Sequence, residues 1–272
     1  MEQKYILTEE TKVVCGHTLY RIKAVRDFNN TKSGQLGGFI ESETNLSHKA
    51  NAWVYGDAMV YGNAMVYDNA MVSDNAMVYG DAMVYGIAMV CGDATVCDNA
   101  MVYGDAMVYG NALVYGNALV CDNARVCDNT RVSGKAMVSG NAIVCDDTRV
   151  CDNARVFGDA MVSGNAMVSD NAMVNGNAKV CGDGRVYGDV KVCAYARVCG
   201  DAKVSSIADY IVFKNWWSSG RYFTWTRSND KWSVGCFYGS GEELIAKAYK
   251  DSETSGREYQ RIVEYVETIK NL

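Results

Sequence analysis

A valine recurs at every sixth position from Val54 to Val204 without a slip. The residue two places before each of these 26 valines is alanine in all but four cases, which are Thr130, Thr148, Gly184 and Val190. Because side chains alternate between faces along a strand, Ala and Val share one face and the residue between them points the other way. Gly, Asp and Asn follow, and these residues tolerate the left-handed backbone of tight corners. Each hexad therefore predicts a short strand and a turn.

A single hexad cannot bury its Ala and Val side chains, but stacked hexads enclose them in a common interior. With three sides per coil, the frame predicts roughly nine coils, or about 40 Å at ~4.8 Å per coil. A flattened coil of two hexads also satisfies this period. The period does not fix the handedness either, although parallel crossovers are normally right-handed.

Two further patterns favour one coil type. In the first, an aliphatic residue is followed four positions later by a small one, as in Val54 and Ala58. This pattern resembles the hexapeptide motif of left-handed triangular β-helices. It departs from that motif because Gly lies two positions after the aliphatic residue here and one position after it in the motif. Residues 22–28, 37–40, 45–47 and 53–55 resemble the start of YdcK-type proteins, which are left-handed β-helices often described as transferases or polymer-forming proteins. The resemblance covers about residues 18–205. It implies a mainly β fold, a single-stranded left-handed parallel β-helix, and says little about activity.

The composition divides the chain into three parts. Residues 1–50 are predicted to be a β cap, since an open coil end would expose core and strand edges. Residues 51–205 are the hexapeptide-repeat β-helix. Residues 206–272 hold four of the five Trp and lack the hexad. They predict a small α+β domain of order ββαα, with helices that begin at capping boxes formed by Ser240 with Glu243 and by Ser255 with Glu258.

The repeat frame lacks the residues that enzymes of this fold use. Hexapeptide acyltransferases need a His base and usually an extruded loop, and γ-carbonic anhydrases need three His on zinc. This chain has two His, His17 and His48, both ahead of the regular repeats. Cys15 is near His17 in sequence, but the sequence reveals no third group to orient them. We therefore expect a non-enzymatic protein with no catalytic and no cofactor-binding residues.

Nine of the 11 Cys directly follow a frame valine. In 18-residue coils Cys127 stacks over Cys145 and Cys181 over Cys199, so a soft-metal ladder is conceivable. Tyr and Ser occupy the same position freely, however, and no metal site is predicted. The odd number of Cys and their repeat position favour reduced thiols in a cytosolic protein. The corner Asp and Asn residues are explained by the turns and do not predict a calcium site.

Charge and hydropathy limit the location and the partners. Residues 1–10 lack the apolar segment of a signal peptide, and the chain has no apolar stretch of about 18 residues. We expect a cytoplasmic protein, of a bacterial or phage-infected cell, without membrane contact. The net charge of −6 argues against binding to nucleic acid through backbone phosphates.

The outward side chains differ along the rod. Residues 53–124 contain eight Asp and no Lys or Arg, whereas residues 125–204 contain ten Lys or Arg and nine Asp. The first half is also rich in outward Met and Tyr, and monomers rarely expose apolar area on that scale. We expect a homo-oligomer, a trimer or dimer, or else a surface for a protein partner. The candidate surface comprises Met59, Met65, Met71, Met77, Met83, Tyr61, Tyr67, Tyr79 and Tyr85.

The C-terminal domain interleaves aromatic and basic residues. These residues are Trp216, Trp217, Arg221, Tyr222, Trp225, Arg227, Lys231 and Trp232. Such a pattern is typical of surfaces that stack on bases or nucleotides, so they are the candidate partner-binding residues. The alternative is that they form the core of a small domain, which needs large side chains for stability.

Three functions remain open from the sequence. The first is a structural or interaction protein, an oligomerising rod that presents a C-terminal recognition module. The second is a phage-type anti-defence inhibitor or sponge, in which the acidic rod mimics nucleic acid or the aromatic module binds a nucleotide. The third is a divergent, inactive hexapeptide acyltransferase.

Overall fold

The protein forms a three-sided parallel β-solenoid with a hairpin at its N-terminal end and a small α+β domain at the other. The computed structural model describes residues 3–270. Strands β1 (Tyr5–Val14), β2 (His17–Ala24) and β3 (Leu36–Ile40) come first. There follow 26 two-residue strands, β4 (Trp53–Val54) to β29 (Lys203–Val204), each made of a frame valine and the residue before it. This confirms the mainly β solenoid of about nine turns that the repeat predicts.

Each coil takes 18 residues, so equivalent positions of successive coils lie side by side; for example, Val90 pairs with Val108 in parallel register. The first face has nine strands, from Trp53–Val54 to Arg197–Val198. The second face has twelve strands, because β1, β2 and β3 extend the sheet that runs from Met59–Val60 to Lys203–Val204. The third face has eight strands, from Met65–Val66 to Lys191–Val192.

The interior is a stack of valines and small residues, which are almost all inaccessible to solvent. Corners are made by residues with positive φ, such as Gly92 (φ 72°) and Asp98 (φ 58°). A corner Asp accepts a hydrogen bond from the next coil's corner N–H; Asp74 Oδ2, for instance, lies 2.9 Å from the N of Gly92. Corner amides form ladders in the same way, as in Asn75 to Asp93 at 3.0 Å. These bonds account for the Asp and Asn at the corners.

The solenoid begins before the regular frame does. Ile40 pairs in parallel with Val60, and Leu46 bridges to Val66. Both residues are fully buried in the solenoid core. Their spacing to the next coil is two residues longer than in the rest of the rod, so the frame of Val54 does not detect this first coil.

The N-terminal hairpin covers the solenoid's open end. Tyr5 and Trp53 are fully buried there, and the Tyr5 hydroxyl donates to the carbonyl of Leu46 at 2.7 Å. Lys4 is also fully buried, and its Nζ donates to the carbonyl of Ala52 at 2.7 Å. Burial, followed by the charge of Arg26, lowers the pKa of Lys4 to about 8.

The C-terminal domain has four antiparallel strands instead of the predicted two. They are β30 (Tyr210–Lys214), β31 (Tyr222–Thr226), β32 (Lys231–Val234) and β33 (Phe237–Gly239), and they pair in sequence order. The predicted order ββαα is therefore wrong. A turn at Gly235, with φ 57°, splits what the sequence presents as one strand.

Two helices follow, α1 (Gly241–Asp251) and α2 (Glu253–Ile269). Ser240 and Glu243 form the predicted capping box of α1. The second prediction is wrong, because Ser252 is the N-cap of α2 and its hydroxyl accepts from the N of Ser255. Ser255 is thus a buried residue of the first turn.

One pair of cysteines is oxidised. Cys181 and Cys199 form a disulfide bond, with their Cα atoms 4.6 Å apart. The expectation that all eleven thiols are reduced is therefore wrong for these two. The parallel register brings equivalent positions of adjacent coils within the Cα distance that a disulfide requires.

Candidate functional site

The C-terminal domain is attached to the end of the rod by several polar contacts. The N of Arg197 donates to the hydroxyl of Thr224 at 2.9 Å. The N of Lys203 donates to the hydroxyl of Ser228 at 2.6 Å, and the hydroxyl of Tyr210 donates to the carbonyl of Lys191 at 2.8 Å. These bonds fix the domain against the last coil, so a groove between them has walls of defined shape.

This junction groove is a cavity of about 360 Å³ between the first face of the solenoid and the C-terminal domain. The solenoid contributes Lys179 and Arg197, and the domain contributes Arg221 and Tyr222. None of the described residues that line it is acidic. The ring of Tyr222 stacks on that of Tyr195 with centroids 4.4 Å apart. The groove therefore combines three cations with an aromatic wall, which suits an anionic ligand.

A second cavity, of about 540 Å³, lies within the C-terminal domain itself. Arg221 and Gly235 line both cavities, so Arg221 stands between them. Lys247 and Asp251 of α1 add one charge of each sign to the second cavity. This mixed lining makes it less selective for anions than the junction groove.

The loop before Arg221 is held by Asn215. The Asn215 side chain is buried; its Nδ2 lies 3.1 Å from the hydroxyl of Tyr259, and its Oδ1 accepts from the N and the hydroxyl of Ser218. The N of Asn215 also donates to the carbonyl of Arg221 at 2.8 Å. Burial raises the pKa of Tyr259.

The predicted aromatic and basic residues do not form one surface. Trp225 and Trp232 are 1% exposed and belong to the domain core, so they cannot stack on a ligand. Trp217 is half-buried and packs edge-on against Tyr259, with ring centroids 5.0 Å apart. Half-buried Arg227 donates to the carbonyls of Ala208 and Lys270. For these three tryptophans the structure favours the core alternative, because a small domain needs its large side chains inside.

The other members of that set remain accessible. Trp216 is 75% exposed, and Lys231 is half-buried. Arg221 and Tyr222 are exposed and line the junction groove. Sequence reasoning missed Lys179 and Arg197, since only the docking of the domain on the rod brings them to Arg221.

The predicted Met and Tyr surface also divides by face. Met59 and Tyr61 on the second face are covered by the N-terminal hairpin and are buried, which removes them from the candidate surface. Half-buried Met77 and Tyr79 pack against the same cluster, while Met71 is half-buried on the first face. On the third face lie Met65, Met83, Tyr67 and Tyr85, which are all at least partly exposed.

The two histidines pair with acidic groups in the cap. His17 Nδ1 lies 2.8 Å from Glu41 Oε1, so the structure supplies an orienting group that the sequence did not reveal. Glu41 Oε2 also accepts from the N of Gly62, and these hydrogen bonds lower the pKa of Glu41. His48 lies 3.8 Å from Glu43 and its Nδ1 accepts from the N of Lys4. His48 thus has a structural role.

The geometry defines a parallel β-solenoid protein. Four segments of the rod, residues 70–86, 102–116, 106–122 and 148–164, match the model of the YdcK beta solenoid repeat. The rod is thus a β-solenoid that is similar to the YdcK repeat. No curated protein matches its sequence. Within the described residues, no helix is both long and apolar enough to span a bilayer.

Proposed function

We propose that this protein is a non-enzymatic scaffold, a β-solenoid rod that self-associates through its third face and presents the C-terminal domain for recognition. The observation that carries the proposal is the partly exposed apolar surface on the third face. That surface, the Met/Tyr face, comprises Met65, Met83, Met101, Leu119, Tyr67, Tyr85 and Tyr103.

The Met/Tyr face is ordered by the coil repeat. The rings of Tyr67, Tyr85 and Tyr103 stack in succession, with centroids 4.8 Å and 4.9 Å apart. Ile87, at a corner position that holds Asp or Asn in most other hexads, is 58% exposed beside Tyr85. Met65 is 42% exposed. Solvated apolar rows of this extent favour an interface over a free surface.

A second copy of the chain is the partner that this face fits. Its rows repeat at the rise of one coil, so two copies related by a two-fold axis present rows of equal spacing to each other. The acidic corners of residues 53–124 would then approach their own copies. Since like charges repel and salt screens them, association should strengthen with ionic strength.

Light scattering of the full chain tests the assembly. We expect the wild type to be a dimer and the double variant Met83→Lys/Met101→Lys to be a monomer. Met89→Lys, at a half-buried position on the first face, is the matched control and should leave the mass unchanged. A monomeric wild type at all concentrations and salt levels would overturn the proposal.

The junction groove supports the recognition part of the proposal. Its three cationic side chains favour an anionic ligand; they belong to Lys179, Arg197 and Arg221. A panel of nucleotides and phosphorylated peptides can be screened by the shift that each causes in the unfolding temperature. We expect at least one ligand to raise this temperature for the wild type and not for Arg221→Ala. Lys250→Ala, a change on the exposed surface of α1, should keep this rise. A nucleotide ligand would favour the sponge hypothesis, and turnover of acyl-CoA would favour the acyltransferase hypothesis and contradict a non-enzymatic scaffold.

A further inference from the structure

One column of side chains on the first face contains two pairs of stacked cysteines. The side chain after each frame valine on this face is, in order along the rod, Tyr55, Ser73, Cys91, Tyr109, Cys127, Cys145, Ser163, Cys181 and Cys199. The valines that precede Cys127 and Cys145 pair in register, and so do those that precede Cys181 and Cys199. The two pairs therefore share the same backbone relationship.

The residue that follows each cysteine distinguishes the pairs. In the oxidised pair it is glycine, Gly182 and Gly200. After Cys127 and Cys145 it is Asp128 and Asp146, at φ 59° and 63°. The pair Cys127 and Cys145 thus carries carboxylates at the corner beside its sulfurs, and the disulfide-bonded pair does not.

At the pair Cys127 and Cys145, the sulfurs and a carboxylate lie close together. The Sγ atoms of Cys127 and Cys145 and a carboxylate oxygen of Asp128 all lie within 4.8 Å of one another. Among the described residues, this is the one group of three or more Cys, His, Asp or Glu ligand atoms so close together. Cys127 is buried, Cys145 is half-buried and Asp128 is exposed, so the cluster opens to solvent on the carboxylate side.

The surroundings of the cluster are electronegative. Burial, assisted by Asp128, raises the pKa of Cys127 to about 11, against the opposing hydrogen bond from Tyr109. Burial and then the charges of Asp146 and Asp128 raise the pKa of Cys145. Arg125, two residues before Cys127, is the basic residue nearest to it along the chain. A bound cation would reverse this penalty, since it stabilises thiolates and carboxylate together.

We propose that Cys127, Cys145 and Asp128 form a binding site for a thiophilic divalent cation of the Zn²⁺ class. Cations of this class bind sets that contain thiolates, such as two thiolates and one carboxylate. Mg²⁺ and Ca²⁺ instead prefer sets made only of oxygen ligands. The prediction from sequence that the chain has no metal site is thereby revised. The sequence places the sulfurs in one column, but only the fold directs the Asp128 carboxylate to both of them.

Cadmium titration of the full chain tests this site, because thiolate-bound Cd²⁺ has an ultraviolet charge-transfer absorption. We expect one Cd²⁺ per chain, with release of about two protons as both thiols ionise. Cys127→Ser should abolish the absorption. Serine already occupies this column at Ser73 and Ser163, so the variant should fold, and circular dichroism checks that it does.

Two matched variants define the site further. The double variant Cys181→Ser/Cys199→Ser should keep the absorption, since that pair lacks the carboxylate. Asp128→Asn should keep the fold and weaken Cd²⁺ binding roughly tenfold or more. The proposal is overturned if the wild type shows no absorption, if Cys127→Ser retains it, or if mass spectrometry of the metal-exposed protein finds Cys127 and Cys145 joined as a second disulfide.

Discussion

Cys181 and Cys199 lie side by side in adjacent coils and are joined by a disulfide bond across a Cα distance of 4.6 Å. Eighteen residues separate them, the length of one coil. Every position of the rod has the same relationship to the residue one coil away. The interactions of a given side chain are therefore decided by its equivalent in the next coil, as in the stacked rings of Tyr67 and Tyr85.

The disulfide should stabilise the rod by restricting the unfolded chain. For a closed loop of this length the expected contribution is about 2–3 kcal/mol, because unfolding of the reduced chain releases more conformational entropy. Cys181→Ser/Cys199→Ser should lower the free energy of unfolding by that amount in a denaturant titration without reductant. Cys91→Ser, at a lone half-buried cysteine of the same column, is the control and should lower it by less than about 1 kcal/mol. Equal losses would contradict the structural role of the bond.

Glycine is required at corners where the next coil's backbone is close. Gly164 has φ 77°, and a Cβ there would lie 2.8 Å from the carbonyl oxygen of Gly182. Gly164→Ala should cost about 2–4 kcal/mol, since both backbone strain and a clash arise. Gly16 has φ 85° with open space around it, so Gly16→Ala isolates the strain and should cost about 1 kcal/mol. Thermal unfolding of both variants compares the two losses of stability. A larger loss for Gly16→Ala than for Gly164→Ala would refute the importance of the close backbone contact.

The buried Lys4 should be a pH-dependent weakness of the cap. Its pKa falls from the ordinary 10.5 to about 8, so the folded state carries the full cost of a buried charge below pH 8. Between pH 8 and 10.5 the folded state loses the proton first, and stability due to this group rises with pH. Lys4→Met should therefore stabilise the protein by about 1–3 kcal/mol at pH 7, and by little at pH 10. Lys49→Met, at an exposed position, should have no such effect in the same denaturant titrations.

Alkaline pH should destabilise the rod through partly buried thiol and phenol groups. Burial and a hydrogen bond to Asp152 raise the pKa of Cys151 to about 12. Hydrogen bonds to Cys121 and Cys127, followed by burial, raise the pKa of Tyr103 and Tyr109 to about 12. These groups contribute stability that is complete below the ordinary pKa of a thiol and is lost as pH rises towards 12.

The test is the unfolding midpoint between pH 8 and pH 11, which should fall continuously. Cys151→Ser should make the fall shallower, because serine does not titrate in this range. A midpoint independent of pH would show that these groups are as solvated in the folded state as in the unfolded one.

Whole coils should be removable. Deleting residues 152–169 takes out 18 residues and joins Cys151 to Asp170 with the valine frame intact. Because each coil contacts only its neighbours, the shortened rod should fold and unfold within a few degrees of the full chain. Deleting residues 152–154 instead breaks the frame and should unfold the C-terminal part of the rod. Circular dichroism and thermal unfolding distinguish these results, and a shortened rod that fails to fold would contradict the nearest-neighbour description.

The features that the sequence predicted correctly are those set by local periodicity. The valine frame predicted the strands of the rod, and the spacing of Ser240 and Glu243 predicted the start of α1. The first coil at Ile40 was missed, because its longer spacing removes it from the frame. For Trp225 and Trp232 the sequence offered two roles, and burial in the domain core selected one.

The sequence alone determined the solenoid, because an alternating buried face of Val and Ala with a corner every six residues has few ways to exclude water. The three-sided coil of 18 residues, which the period alone leaves open, sets which residues share a column. The tertiary structure decided which columns stay exposed, since the N-terminal hairpin covers Met59 and Tyr61 and leaves Met65 and Tyr67 accessible. It likewise decided that Arg197 and Arg221 meet in one groove, because contacts between distant segments depend on how two separately folded surfaces pack, and local periodicity carries no information about that.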